Sequence, residues 1–213
     1  MRIETFRMER MQSIHEHEVE YNLSESGALP MTIAELIAGV VEARWVLEHP
    51  MGYPEAMGSA SLRERIAAWY PGAEPGNVTV MNGGAEVNFI TLWTLLDTAA
   101  RLAFMVPNYM QGWGLGRHFG AGSDAFNLKL AGRHGPRWAL DVDELERAVT
   151  PETRVIWVTN PNNPTGAILT EEEMDAVVRV AAAAGPGWWR TRSTAGPNCP
   201  GSRRPPSGGA TTA

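Results

Sequence analysis

Apolar residues along this chain recur with two different periods. In "TIAELIAGVVEARWVLE", Ile33, Leu36, Ile37, Val40, Val41 and Leu47 fall at helical spacing. Thr32 and Glu35 are placed to satisfy each other's free amides, so a capping box opens that helix. "SLRERIAAWY" repeats the pattern, with Ser61 and Glu64 in the same relation. "NVTVM" (77–81) reads as a short buried strand, and "GAEVNFITLWTLLD" as a helix apolar nearly all round, hence deeply buried. "RLAFMV" (101–106) is the next strand. A mixed stretch from Met110 to Phe119 leads into "FNLKL". "DVDELERAV" (141–149) is a polar-faced helix, "RVIWVT" (154–159) a strand, and Thr170 to Ala184 a helix with Thr170 and Glu173 as its capping box.

Strands that alternate with helices and are continuous apolar runs predict a mostly parallel sheet covered on both faces, a three-layer α/β/α architecture. Ligands in such sheets bind beyond the carboxyl ends of the strands. The loops after residues 81, 106 and 159 therefore carry the candidate chemistry. From 185 to 213 the chain is crowded with Gly and Pro and shows no periodicity, so a disordered tail is expected there. No internal repeat is present.

The chain has 213 residues, enough for one ordinary domain. A net charge of −6 argues against general nucleic-acid binding. The start, "MRIETFRMER", is charged where a secretory signal needs an apolar core, and no run is long and apolar enough for a membrane span. A soluble cytoplasmic protein without a membrane partner is the expectation. Cys199 is the only cysteine, which leaves no internal disulfide and no cysteine-based metal site. His15 and His17 stand two apart, do not share a helix face and have no third ligand in view, so no metal is expected. "GWGLG" (112–116) lacks the spacing of a dinucleotide loop. The only lysine is Lys129.

Each of the three loops has a functional and a plain reading. In "VMNGGAEVNF", Gly83 and Gly84 let backbone amides converge at a helix start, forming a phosphate cup or an ordinary turn. In "MVPNYMQ", Pro107 stops the strand and leaves Tyr109 at the ligand edge, to stack on a flat heterocycle or merely to cover the sheet end. In "NPNNPTG", Pro161 and Pro164 fix the backbone, and Asn160, Asn162 and Asn163 offer amides that build either a binding loop or an elaborate turn.

"NPNNPTG", preceded by "VIWVT" and followed by "LTEEEMD", resembles the signature of class I/II aminotransferases, fold type I enzymes that use pyridoxal 5′-phosphate (PLP). "YPEAMGSASLRERIAAWY", "NGGAEVNF", "PNYMQ" and the arm "ERMQSIHEHEVEYNLSESGALPMTIAELI" resemble further segments of that family in the same order. The resemblance implies an N-terminal arm and helix over 1–50, a partial PLP-binding large domain over 51–184, and a non-native tail over 185–213. It implies that backbone amides of Gly84, Ala85 and Glu86 hold the cofactor phosphate. Tyr109 would stack on the pyridine ring and Asn163 would bond its phenolic oxygen. Tyr53 would reach the phosphate of a neighbouring subunit in a homodimer. The implied substrates are an amino acid and a 2-oxo acid. A PLP-dependent lyase of the same fold is the other enzymatic reading, and a non-catalytic remnant or interaction fragment the third.

The family's Schiff-base lysine, its aspartate facing the ring nitrogen and its carboxylate-binding arginine all follow the "NPTG" loop. This chain has no candidate for them there. Lys129 precedes the loop and reads as a solvated strand-edge lysine. No catalytic residue is therefore assigned, and the chain is expected to be inactive alone, with PLP binding weakened or lost. Where the family continues into a strand resembling "WVVADEVY", this chain has "GWWRTRS". Codons exist for that stretch which, read in a shifted frame, spell V-V-A-D-E-V-Y, so a frameshift near Gly185 to Gly187 is expected. The absence of flanking strands predicts open sheet edges, exposed apolar surface and poor solubility.

Overall fold

The computed structural model describes residues 3–24, 27, 30–38, 43–132, 136–185, 187–191 and 210–212. Helices α1 (Arg7–His15), α2 (Ile33–Ile37), α3 (Ala43–Glu48) and α4 (Ala60–Ala67) precede the sheet. Then come α5 (Gly83–Leu95), β1 (Arg101–Val106), α6 (Gln111–Phe119), β2 (Gly122–Ala131) and β3 (Arg137–Leu140). They are followed by α7 (Val142–Ala148), β4 (Thr153–Thr159), α8 (Glu171–Ala184), β5 (Gly187–Thr191) and β6 (Ala210–Thr212). The sheet order is β3-β2-β1-β4-β5-β6. Every neighbouring pair is parallel except β2 and β3.

Alternation along the central strands splits the core in two. Ala103, Met105, Ile156 and Val158 point to one face, where Leu145 of α7 and Val177 and Ala181 of α8 cover them. Leu102, Phe104, Val155 and Trp157 point to the other, against Leu92 of α5 and Leu115 of α6. Both faces of β1 and β4 are buried, which is why their sequences run apolar without a break. The three layers and the mostly parallel sheet follow the expectation.

Two of the three capping boxes read from sequence are present. Thr170 and Glu173 form the capping box of α8, and Thr32 and Glu35 that of α2. Gly185 closes α8 in the left-handed conformation, φ +76°.

Other expectations need correction. Ser59, not Ser61, caps α4, accepting from the Leu62 amide at 3.4 Å. The predicted helix over 32–48 is found as α2 and α3, and residues 39–42 between them lie outside the described residues. "NVTVM" is not a strand: a 3₁₀ turn covers Pro75–Asn77 and extended coil follows. Its amides find only isolated partners, such as Val80 N to Met57 O at 3.0 Å, and a strand needs a whole paired neighbour. Helix α5 is not deeply buried, because only one flank meets the sheet and α6; Trp93 is 64% exposed. The mixed stretch 110–119 is helix α6, and β3 was not foreseen.

The glycines of "GWGLG" explain α6. A β-carbon on Gly112 would come within 2.8 Å of Phe104, and one on Gly116 within 2.5 Å of Leu102 and Ser123. These glycines set the helix close onto the sheet. Residues 187–191 and 210–212 are strands, so the expectation of a structureless tail fails for them. The rest of 192–213 lies outside the described residues. Apolar side chains before the sheet stand exposed, among them Trp45, Leu47 and Met51.

Candidate functional site

Parallel neighbours β1 and β4 end side by side, so the loops that follow them, 107–110 and 160–170, share one rim. Helix α5 starts at the same rim, because hydrogen bonds tie its first two turns to Gln111, the first residue of α6 after the 107–110 loop. Gln111 Nε2 donates to the Ala85 carbonyl at 2.9 Å, and Asn88 Nδ2 donates to Gln111 Oε1 at 3.0 Å. Thr159 Oγ1 donates to Asn108 Oδ1 at 2.8 Å, and Asn162 Nδ2 donates to the Pro107 carbonyl at 3.2 Å. The three loops singled out by sequence are thus one hydrogen-bonded cluster. The Val106–Pro107, Asn160–Pro161 and Asn163–Pro164 bonds within it are cis.

The amides of "NPNNPTG" divide into two uses. Buried Asn160 accepts from the Leu169 amide at 3.1 Å. Buried Asn162 accepts from the Thr165 amide at 3.2 Å and from its hydroxyl at 2.6 Å. Its backbone closes the turn with Ala167 and Gly166. These two amides hold the loop itself. Asn163 is half-buried, and among the described residues its side chain makes no hydrogen bond.

Across the rim, the glycine turn is open. Gly83 has φ +82°, which favours glycine, and a β-carbon on Gly83 or Gly84 would meet nothing within 4 Å. No side chain caps α5 from Asn82; instead the Glu86 carboxylate accepts from the Asn82 amide at 2.6 Å. The amides of Gly84, Ala85 and Glu86 lie in the first turn of this thirteen-residue helix, at its positive end. Tyr109 is half-buried beside Asn108, whose side-chain oxygen accepts from the Tyr109 amide at 2.8 Å. Burial first, then the charge and hydrogen bond of Glu9, push the Tyr109 phenol above its usual range.

Gly84, Ala85, Glu86, Tyr109 and Asn163 are therefore brought to one rim. Tyr53 is not; it stands fully exposed in the coil before α4, with no bond to the three loops among the described residues. Lys129 lies on β2, where its ammonium pairs with Asp141 at 3.0 Å. His15 bonds Glu18 at 2.9 Å at the end of α1. Among the described residues, no group of three or more His, Cys, Asp or Glu is placed to hold a metal, and no helix is long and apolar enough to cross a membrane. Sequence reasoning missed Asn88, Asn108, Gln111 and Thr159. Each acts across a sequence gap of 23 residues or more, so no local pattern announces it.

The open turn, the half-buried aromatic and the amide without a hydrogen bond share this one rim. The profile of aminotransferase class I and II matches residues 48–186. The probable N-succinyldiaminopimelate aminotransferase DapC of Mycobacterium tuberculosis is 34% identical over 152 residues, covering 62% of this chain and 34% of its own. The crystal structure of the M. tuberculosis N-succinyldiaminopimelate aminotransferase superposes with a TM-score of 0.64 at 30% identity, over 70% of this chain and 39% of that one. A PLP-dependent cyclase, OrfR, superposes with a TM-score of 0.76 at 26% identity, over 90% of this chain and 49% of its own. The chain thus spans about a third of the length of the curated relative it matches. With its rim, its sheet and its profile in agreement, this chain belongs to the class I and II aminotransferase family, whose cofactor is pyridoxal 5′-phosphate.

Proposed function

We propose that this chain is the cofactor-cradling part of a PLP-dependent aminotransferase that moves an amino group between an amino acid and a 2-oxo acid, and that the 213 residues alone do not turn over. The observation that carries the reading is the single rim on which the glycine turn, Tyr109 and Asn163 meet.

First-turn amides of Gly84, Ala85 and Glu86 would hold the phosphate. Tyr109 would support one ring face, and Asn163 would donate to the ring's phenolic oxygen. Bound PLP supplies an electron sink for a substrate amine. The acid–base work beside it needs a lysine, and Lys129 is engaged with Asp141 on β2. No other lysine exists in the chain. The rim therefore holds no lysine, and cradle and chemistry are separated. In an intact homodimer, Tyr53, exposed here, would serve the partner's phosphate.

Equilibrium dialysis tests the cradle: PLP binds saturably, and Asn163→Ala weakens it. No saturable binding would overturn the cofactor reading. Transaminase turnover by the purified chain would overturn its inactivity. The OrfR likeness, which extends over 90% of the chain, supports a second reading in which the intact enzyme rearranges or eliminates on a single amino-acid substrate. Product analysis with an amino acid but no 2-oxo acid separates the two.

A further inference from the structure

Residues 3–16 lie against Tyr109 and α6 through very few contacts. The Phe6 ring stands edge-on to Tyr109, with centroids 4.9 Å apart and planes at 73°. Arg117 of α6 donates to Glu4 at 2.6 Å. The Glu4 carbonyl lies over Gly114, within 3.7 Å of where a β-carbon would be. Glu9, in the first turn of α1, faces the Tyr109 hydroxyl. Within 3–16, Phe6 and Gln12 are half-buried and all the other side chains are exposed. Gln12 spends its amide on Ser24, inside the arm itself.

An element with so little buried surface detaches far more readily than the sheet unfolds. A nine-residue helix is also marginal once detached, so opening unwinds it. Its anchor is the aromatic that the proposed cofactor site uses. Phe6 takes up part of the Tyr109 ring's contact surface, and Glu9 brings negative charge towards the Tyr109 hydroxyl.

We propose that residues 3–16 form a strap that opens while the sheet stays folded, and that the closed strap and a flat anionic ring on Tyr109 exclude each other. The second half rests on the cofactor reading; the first does not.

Amide hydrogen exchange on the full chain tests the strap, with PLP as the ligand. Phe6→Ala and Arg117→Gln each speed exchange over 7–15 and leave β1 and β4 unchanged. Unchanged exchange over 7–15 in both variants, or acceleration only together with β1 and β4, overturns the strap. Saturating PLP also speeds exchange over 7–15, and Phe6→Ala tightens PLP roughly three- to tenfold by removing the competing closed state. Slower exchange with PLP bound, or weaker binding by Phe6→Ala, overturns the exclusion. If dialysis finds no bound PLP, the cofactor reading and the exclusion fall together, while the two variants still decide whether the strap exists.

Discussion

Thr159 and Asn108 bind two loops together from the ends of adjacent strands: the Thr159 hydroxyl donates to the Asn108 side-chain oxygen at 2.8 Å, and both are buried. Thr159 also accepts from the Trp157 indole at 3.3 Å. Thr159→Val keeps the shape and deletes the hydroxyl, leaving buried partners short of a bond. Urea unfolding should show a loss of about 1–3 kcal/mol. A change within about 0.5 kcal/mol would mean that the rim holds its shape without this bond.

Asn162 and Asn163 are neighbours with opposite expected phenotypes. Asn162→Ala removes two accepted bonds and one donated bond from a buried loop, so a stability loss of about 1–3 kcal/mol is expected. Asn163→Ala removes a side chain without a hydrogen bond among the described residues, so the melting temperature should stay nearly constant. Its effect should appear instead in PLP binding, as about a tenfold loss for one hydrogen bond to a ligand. If Asn163→Ala melted as early as Asn162→Ala, the division between loop-holding and ligand-facing amides would be wrong.

Glycines 84 and 116 make a similar contrast. Ala at 116 drives a β-carbon to 2.5 Å from Leu102 and Ser123, and overpacking of this kind costs about 1–3 kcal/mol. Ala at 84 meets open space inside the first turn of α5, where helix propensity favours it by about 0.5–1 kcal/mol. Thermal melts of the two variants should therefore move in opposite directions. Equal losses would show that the glycine turn is not open.

The contrast also explains what was legible. The strands β1 and β4 could be read because both faces are buried, which leaves an unbroken apolar run. The α8 start could be read because Thr170 and Glu173 satisfy each other three residues apart. Helix α6 could not, since Gly112, Gly114 and Gly116 lower its intrinsic propensity, and the value of Gly112 and Gly116 lies in contacts with β1, β2 and β4. "NVTVM" was misread because strand propensity is a local quantity and strand pairing is not. At the site, the family resemblance singled out Asn163, whereas the Asn108–Thr159 and Gln111–Ala85 bonds exist only once β1, α5 and β4 are in place.

Glu173 links α8 to β3 and gives a pH signature. Burial alone would raise its pKa, but Arg137 and the amides of Thr170 and Leu140 outweigh burial and hold it below the ordinary glutamate value of 4.5. A lowered folded pKa means stability that is present above the unfolded value and lost as pH falls through the folded one. The melting temperature should therefore fall as pH drops below about 4.5. Glu173→Gln should start lower and flatten that part of the profile. An unaltered acid limb in the variant would assign the effect to other carboxylates.

The last prediction concerns the gene. Strand β5 runs parallel to β4, with Arg190 opposite Val158 and Thr191 opposite Thr159, so its carboxyl end reaches the same rim as Asn108 and Asn163. Codons can be written for "GWWRTRSTAGPNC" that, read from the third base, give V-V-A-D-E-V-Y-R-G-A-E-L. The two tryptophans leave no codon choice and force the second valine; the first follows from a guanine at the third base of the Gly187 codon. In that frame an aspartate falls across the codons of Arg190 and Thr191, at the rim end of β5, where the family resemblance calls for an acid facing the ring nitrogen. Nucleotide sequencing should find the shifted frame open well past codon 199 and continuing into a lysine-bearing segment. A stop codon soon after 187 in that frame would end the argument. A repaired gene product, if the frame is open, should bind PLP more tightly than the 213-residue chain, because a buried acid at this rim would add a charged hydrogen bond to the ring.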